Sequence, residues 1–199
     1  MMTEAIDLES IAKALRTAER TGVPIAPISQ QHDLTIQQAY QVQLINMRRS
    51  LKQGKVITGK KIGLTSKAMQ DSLKVDQPDF GFLYDSMEVE GDLIPRGAIL
   101  QPRVEGELAF VLKEDLAGDV TAAQVLAATA YVVPAIEIVG SRIKDWKLTI
   151  VDTVADNASC GMYKLSERRL DPRAVDLAQV SLTLSRNGIQ INQGLWGRT

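Results

Sequence analysis

Residues 101–112 read QPRVEGELAFVL and place two glutamates, Glu105 and Glu107, inside an otherwise apolar run. Alternate residues of a β-strand point to the same side, so these carboxylates project together, while Val104 and Leu108 share the opposite face. Ionised carboxylates held side by side repel each other and need a cation or a shared proton. The stretch predicts a strand with either a solvated charged face or an oxygen-ligated divalent metal site.

The composition of the 199-residue chain is that of an ordinary globular protein, with 45% hydrophobic and 24% charged residues. Its 23 basic and 24 acidic residues are scattered, so we expect neither a nucleic-acid nor an anionic-membrane partner. No apolar stretch is long enough to span a membrane, and the acidic N-terminus is unlike a secretory signal. These features predict a cytoplasmic protein.

Sulfur and imidazole ligands are scarce in this sequence. Cys160 is the only cysteine and His32 the only histidine, which excludes an intrachain disulfide and a thiolate zinc site and disfavours a Ser-His-Asp triad. We interpret Cys160 as a small buried hydrophobe and His32 as a loop residue. Acid–base chemistry is therefore left to Asp, Glu, Lys or Tyr, and metal binding to oxygen ligands.

Apolar periodicity and turn residues divide the chain into short helices and strands. Helices are predicted over 8–20, 36–53, 65–73 and 120–129. Strands are predicted over 56–64, 82–84, 101–112, 131–139, 180–185 and 189–191. The dipeptide Asn187-Gly188 predicts a tight hairpin between the last two strands. Residues 76–81 and 152–159 are interpreted as polar loops.

A third carboxylate, that of Glu137, lies within residues 132–139, VVPAIEIV, a run with no obvious water-facing side. A carboxylate in such a strand is protonated, paired with a base or bound to a metal. Glu105, Glu107 and Glu137 therefore need a joint explanation.

Five motifs stand in a characteristic order along the chain. They are GKKIGLTS (59–66), DQPDFG (76–81), QPRVEGELAFVL (101–112), PAIEIVGSRIKDW (134–146) and VDTVADNASCG (151–161). In this order they resemble the 2-keto-4-pentenoate hydratases of the fumarylacetoacetate hydrolase superfamily. The resemblance implies an α+β fold with a mixed β-sheet roll or barrel. It also implies an N-terminal helical region over 1–54 and an incomplete catalytic domain of this superfamily over 55–199.

The resemblance implies a divalent metal, Mg²⁺ or Mn²⁺, held by Glu105, Glu107 and Glu137, the three carboxylates that the residue pattern singles out. It implies a hydro-lyase of aromatic-compound catabolism that hydrates 2-hydroxypenta-2,4-dienoate to 4-hydroxy-2-oxopentanoate. The metal would stabilise the enolate charge that develops when water adds. The alternatives are a 2-oxo-3-enedioate (4-oxalocrotonate) decarboxylase of the same superfamily and a truncated, non-catalytic partner subunit.

By motif position, Lys61 is a candidate acid–base group, because burial and a metal charge would disfavour its ammonium form; it could instead be a structural partner of a site carboxylate. Asp79 could position or deprotonate water, or simply form a turn. Lys60 is expected to point away and be solvated. The first residues of the short helix would bind the substrate carboxylate through backbone N–H groups, or cap the helix. The candidate substrate-binding residues are Leu64, Thr65, Ser66, Asp156 and Asn157.

Expected partners follow from the same resemblance: a small-molecule 2-oxo or 2-hydroxy dienoate, further copies of the chain, and a related decarboxylase or aldolase. The family sequence continues past the predicted hairpin through further strands, whereas residues 195–199, LWGRT, do not resemble this continuation. The expectation is a truncated chain that lacks the last strands, keeps its metal ligands and has weak or no activity, because open strand edges and exposed apolar surface destabilise a sheet.

Overall fold

The computed structural model describes residues 5–195, which form helices and three small sheets in an α+β arrangement. The α-helices are α1 (Leu8–Thr21), α2 (Ile36–Lys52), α3 (Lys67–Leu73), α4 (Ala122–Ala128) and α5 (Ile150–Ala155). The strands are β1 (Ile57–Gly63), β2 (Asp79–Tyr84), β3 (Arg103–Leu112), β4 (Thr129–Val139), β5 (Met162–Leu165), β6 (Ser181–Arg186) and β7 (Ile189–Leu195). None of the helices in these residues is long and apolar enough to cross a membrane. Residues 196–199, part of the predicted divergent end, lie outside the described residues.

Backbone contacts divide the chain into two compact units. The first unit consists of the chain up to Arg103 together with Ile138–Met162, and the second of Val104–Glu137 together with the chain from Tyr163 onward. Helices α1, α2 and α5 therefore belong to the same unit as strands β1 and β2. The predicted domain boundary after residue 54 stays a prediction.

The first two helices confirm their predicted positions because local signals fix their ends. Asp7 caps α1 by accepting a hydrogen bond from the Ser10 backbone N–H, and Gly22 ends it in a left-handed conformation. Thr35 caps α2 in a reciprocal capping box with Gln38. The apolar face of α1 then packs against α2, and α2 packs against α5. The buried cluster contains Ile11, Ala12, Leu15, Ile28, Leu34, Ala39, Val42, Ile143, Val154 and Ala155.

Strands β1 and β2 form an antiparallel pair in which Gly63 lies opposite Asp79 and Lys61 opposite Gly81. The predicted loop over 76–81 is therefore wrong in its second half. Turn-forming residues dominate its composition, but pairing with β1 draws Asp79 and its neighbours into a strand. The register places Asp79 at the β1 end that leads into α3.

The predicted polar loop over 152–159 is also wrong. Its first part is α5, and residues Asn157–Ser159 form a 3₁₀ turn. Thr149 and Asp152 make a reciprocal capping box that starts the helix, so a Thr–Asp pair spaced by three residues was the missed signal. The segment thereby presents its small polar side chains from a short, anchored helix.

Strands β3, β4 and β5 form one sheet in that order, and β6 pairs with β7 in an antiparallel hairpin. Asn187 and Gly188 both have positive φ, 52° and 78°, which is the conformation of a two-residue type I′ turn. The hairpin predicted from this dipeptide is confirmed.

Candidate metal centre and the residues proposed to act with it

The side chains of Glu105, Glu107 and Glu137 converge in the second unit. One ligand oxygen from each lies within 4.8 Å of the others. Glu105 and Glu107 project from the same side of β3, and Glu137 comes from the neighbouring strand β4. Glu137 is buried at 6% exposure, Glu107 is half-buried and Glu105 is exposed. The cluster therefore runs from the protein interior to solvent.

These three carboxylates fit a hard divalent cation. Carboxylate oxygens bind Mg²⁺ and Ca²⁺ at about 2.0–2.6 Å, so oxygens on one ion are separated by about 3–5 Å. The observed spacing falls in that range. A cation would also offset the repulsion between like charges, one of which is held away from water. The exposed position of Glu105 leaves a solvent-facing side for further ligands.

Lys61 and Asp79 come together in the first unit, above Gly63. A side chain at Gly63 would collide with Asp79 Oδ1 and would lie 3.3 Å from Lys61 Nζ, so both charged ends occupy the space that a Cβ would need. Lys61 Nζ donates a 2.9 Å hydrogen bond to the Ala158 carbonyl oxygen. Asp79 is buried at 3% exposure. An ammonium and a carboxylate thus both lie next to Gly63.

Lys60 lies on the opposite face of β1 and is exposed, as predicted. Its ammonium group sits 5.3 Å from the Phe80 ring centroid and 5.8 Å from that of Phe82. Lys60 thus makes cation–π contacts with aromatic rings, whereas Lys61 lies next to Gly63 and binds the Ala158 carbonyl.

Leu64, Thr65 and Ser66 lead from β1 into α3. The Ser66 hydroxyl caps the helix by accepting from the Met69 backbone N–H at 3.1 Å. Leu64 has a positive φ of 55°, and its carbonyl accepts from Gln70 Nε2 at 2.9 Å. The Ser66 hydroxyl therefore has the capping role considered above, and substrate binding by this segment stays a prediction.

Asp156 is engaged by Arg142 in a buried ion pair. Arg142 Nε donates to Asp156 Oδ1 at 2.5 Å, and the Arg142 backbone N–H donates to Oδ2 at 2.9 Å. Burial raises the pKa of Asp156 to about 6, against the lowering effect of the Arg142 charge. Burial alone would lower the pKa of Arg142, but the Asp156 charge raises it above its ordinary value. These contacts favour a supporting role for Asp156.

Asn157 holds the backbone of β2. Its Oδ1 accepts from the Phe82 backbone N–H at 2.8 Å, and its Nδ2 donates to the Phe82 carbonyl at 2.9 Å. Asn157, Ala158 and Ser159 all have positive φ, between 51° and 57°, in a conformation that side chains rarely adopt in succession. Both polar atoms of the side-chain amide take part in this clamp, and substrate contact by Asn157 stays a prediction.

The sequence alone assigns no role to Thr153, which lies on α5. Thr153 Oγ1 donates a 2.5 Å hydrogen bond to Asp79 Oδ2. Its only signal in the sequence was membership of the motif VDTVADNASCG, since nothing local indicates a partner 74 residues away.

No protein-family model matches the chain. Individual relatives do. The chain is 45% identical over 199 residues to a 2-hydroxyhexa-2,4-dienoate hydratase of Comamonas testosteroni, with 98% of this chain and 75% of the relative covered. It is 48% identical over 165 residues to a 2-hydroxypent-2,4-dienoate hydratase of Pseudomonas putida, with 81% and 74% covered. The chain belongs to the 2-keto-4-pentenoate hydratase family.

A solved structure extends this hydratase assignment to the fold. The chain matches the 4-oxalocrotonate decarboxylase from Pseudomonas putida G7, complexed with magnesium and adipate, with a TM-score of 0.92 and 29% sequence identity. The match covers 98% of this chain and 77% of the decarboxylase. The hydratase-family chain therefore spans about three quarters of the length of the relatives it matches.

Proposed function

We propose that this protein is a hydro-lyase that hydrates 2-hydroxypenta-2,4-dienoate to 4-hydroxy-2-oxopentanoate in the breakdown of aromatic compounds. The observation that carries the proposal is the convergence of Glu105, Glu107 and Glu137 within 4.8 Å, in a chain 45–48% identical to two dienoate hydratases. Three oxygen ligands with a solvent-facing side suit a reaction on a small 2-oxo acid.

We infer that the three glutamates hold a divalent cation, Mg²⁺ or Mn²⁺. When bound, the cation supplies a Lewis acid that stabilises negative charge on the 2-oxo oxygen of the substrate. The magnesium complex of the structurally similar decarboxylase supports a divalent cation in this fold. The buried Glu137 would anchor the ion, and the exposed Glu105 would complete the ligand set from the solvent side.

Lys61 and Asp79 are the proposed proton-transfer groups. The overall hydration puts a hydroxyl on C4 and a hydrogen on each of C3 and C5, and removes the hydroxyl proton at C2. An ammonium can donate one of these protons and a carboxylate can accept one, so a juxtaposed lysine and aspartate can serve both directions. Their shared position above Gly63 supports this assignment.

The substrate carboxylate would be bound by backbone N–H groups at Leu64, Thr65 and Ser66. Asp156 and Asn157 would act indirectly, by fixing Arg142 and the Phe82 backbone. The barrel-like roll, homo-oligomeric assembly, association with a related decarboxylase or aldolase, and a cytoplasmic location belong to the same proposal.

Decarboxylation of a 2-oxo-3-enedioate is the second candidate function. It is favoured by the 0.92 TM-score to 4-oxalocrotonate decarboxylase, whose substrate also carries a 2-oxo acid group. The identity of 29% to the decarboxylase against 45–48% to the hydratases favours hydration.

Turnover of the two substrates distinguishes these functions. The purified protein is incubated with enzymatically generated 2-hydroxypentadienoate or with 4-oxalocrotonate, in Mg²⁺ and then in excess chelator. We expect loss of the dienoate absorbance and formation of 4-hydroxy-2-oxopentanoate, in place of the weak or absent activity that the sequence alone predicts. We also expect no release of carbon dioxide and reversible loss of activity in chelator.

Glu107→Gln removes one proposed ligand and is expected to abolish Mg²⁺-dependent turnover. Glu114→Gln is the matched control, because Glu114 is an exposed glutamate two residues beyond the end of β3. Carbon dioxide release from 4-oxalocrotonate would instead establish the second function. Full turnover in chelator would refute the proposed metal dependence.

A further inference from the structure

The two carboxylate oxygens of Asp79 have different surroundings. Oδ2 accepts the 2.5 Å hydrogen bond from Thr153 Oγ1, whereas Oδ1 lies above Gly63, where Lys61 Nζ also lies. Asp79 and Thr153 are both buried, at 3% and 6% exposure, so water competes little for either oxygen. The Thr153 hydroxyl therefore gives the two oxygens of the Asp79 carboxylate different surroundings.

Helix α5 holds Thr153 from both sides. The preceding residue, Asp152, is fully buried and accepts hydrogen bonds from the backbone and side chain of both Ser29 and Thr149. The following residue, Val154, is fully buried in the apolar core. Successive helical side chains point about 100° apart, so these two anchors fix the direction of Thr153 between them. Its β-branched side chain has few alternative rotamers.

Lys61, whose ammonium group also lies next to Gly63, is held from the same stretch of chain. Lys61 Nζ donates to the Ala158 carbonyl at 2.9 Å, within the turn of three positive-φ residues that Asn157 clamps to β2. Residues 153–158 thus hold both groups. Thr153 donates to Asp79 Oδ2, and the Ala158 carbonyl accepts from the Lys61 ammonium group. The Thr153 hydrogen bond limits rotation of the Asp79 carboxylate with a neutral donor on Oδ2.

We propose that Thr153 is a positioning residue for Asp79: it occupies Oδ2 and so presents Oδ1 as the oxygen that exchanges a proton during hydration. The inference rests on the proposed function of Asp79. Without the hydroxyl, the carboxylate can rotate about its Cβ–Cγ bond and divide its time between orientations. A displacement of a reacting group by about 1 Å can lower the rate by up to about 10²-fold.

Thr153→Val removes the hydroxyl at nearly constant volume, and Thr153→Ser retains it. We expect Thr153→Val to lower kcat for dienoate hydration by about 10- to 100-fold with KM changed by less than about twofold, and Thr153→Ser to restore most of kcat. Thr35→Val is the matched control, since it removes a threonine side-chain hydrogen bond at the start of α2, away from Asp79. It is expected to lower the melting temperature but to leave kcat near the wild-type value.

A second measurement separates positioning from a general loss of structure. In an Asp79→Asn background, adding Thr153→Val is expected to cause little further loss of kcat, because the two residues act as one unit. Thr153→Ala replaces Thr153→Val in this cycle if the valine variant does not fold. Wild-type kcat in the folded variant lacking the hydroxyl, or additive losses in the double variant, overturns the inference while leaving the proposed function intact. Failure of the wild-type protein to hydrate the dienoate overturns the proposed function and this inference with it.

Discussion

The two compact units treat acidic side chains in different ways. In the first unit, Asp156 faces the Arg142 guanidinium, and Asp152 accepts four hydrogen bonds from Ser29 and Thr149. In the second unit, Glu105, Glu107 and Glu137 gather within 4.8 Å of one another. A buried carboxylate opposed by donors stabilises a particular packing, whereas carboxylates opposed by carboxylates create a demand for a cation. The acids of the first unit thus belong to its hydrogen-bonded packing, whereas those of the second unit are the proposed metal ligands.

Breaking the buried ion pair is expected to have the largest effect on stability. Arg142→Met leaves the Asp156 carboxylate buried without its cation and removes two further hydrogen bonds, to the Cys160 and Asp156 carbonyls. Loss of one partner of such a pair costs about 3–5 kcal/mol. Urea unfolding of the variant measures this directly. Arg48→Met, at an exposed position of α2, is the control and is expected to change the free energy of unfolding by less than about 0.5 kcal/mol. A loss below about 1 kcal/mol for Arg142→Met would show that the pair is not the element that organises this unit.

The pH dependence of the same pair gives a smaller effect. The pKa of Asp156 is raised to about 6 from an ordinary value of 3.8, so the folded state binds a proton more tightly than the unfolded state. Stability from this group is therefore present below about pH 4 and lost as the pH rises through 6. Between pH 4 and 6, we expect the free energy of unfolding of the wild type to fall relative to that of Asp156→Asn. The fall is at most about 1.4 kcal/mol per pH unit. A difference that stays flat between pH 4 and 7 would contradict the raised pKa.

Removing one carboxylate of the cluster is expected to have the smallest effect on stability, and the sign of this effect depends on Mg²⁺. In chelator, Glu105→Gln removes one of three like charges at an exposed position and is expected to raise stability by up to about 0.5 kcal/mol. In saturating Mg²⁺ the order reverses, because the wild type gains more binding free energy from its complete ligand set. Thermal unfolding with and without Mg²⁺ checks both signs. Glu114→Gln serves again as the control. If Glu105→Gln destabilises the chelator-treated protein, Glu105 resembles the acids of the first unit and is held by donors.

The outcome of the sequence interpretation depended on how local each signal was. The helix over α2 and the hairpin at Asn187-Gly188 were predictable because the cap and the turn residues act within a few positions. Strand β2 was predicted too short, since Asp79 carries a turn-like local sequence and becomes extended only by pairing with Gly63. Helix α5 was interpreted as a loop because six residues are too few to show helical periodicity.

The candidate site residues also differ in how much of their arrangement follows from local sequence. The side-by-side projection of Glu105 and Glu107 follows from the two-residue period of a strand, and the apolar run around Glu137 marks that acid as unusual. Their meeting depends on β4 lying next to β3. The motif singles out Asp156 and Asn157, but only the fold shows their contacts with Arg142 and Phe82.

The sequence by itself determined the alternation of β3, the caps of α1 and α2, the type I′ turn and an oxygen-only choice of metal ligands, because each depends on residue type and short-range spacing. Tertiary structure alone decided that three glutamates converge, that Lys61 and Asp79 share the space above Gly63, and that Thr153 binds Asp79 Oδ2. These contacts join residues between two and 74 positions apart. Strand register and helix packing fix such distances, and neither can be read from one strand or helix in isolation.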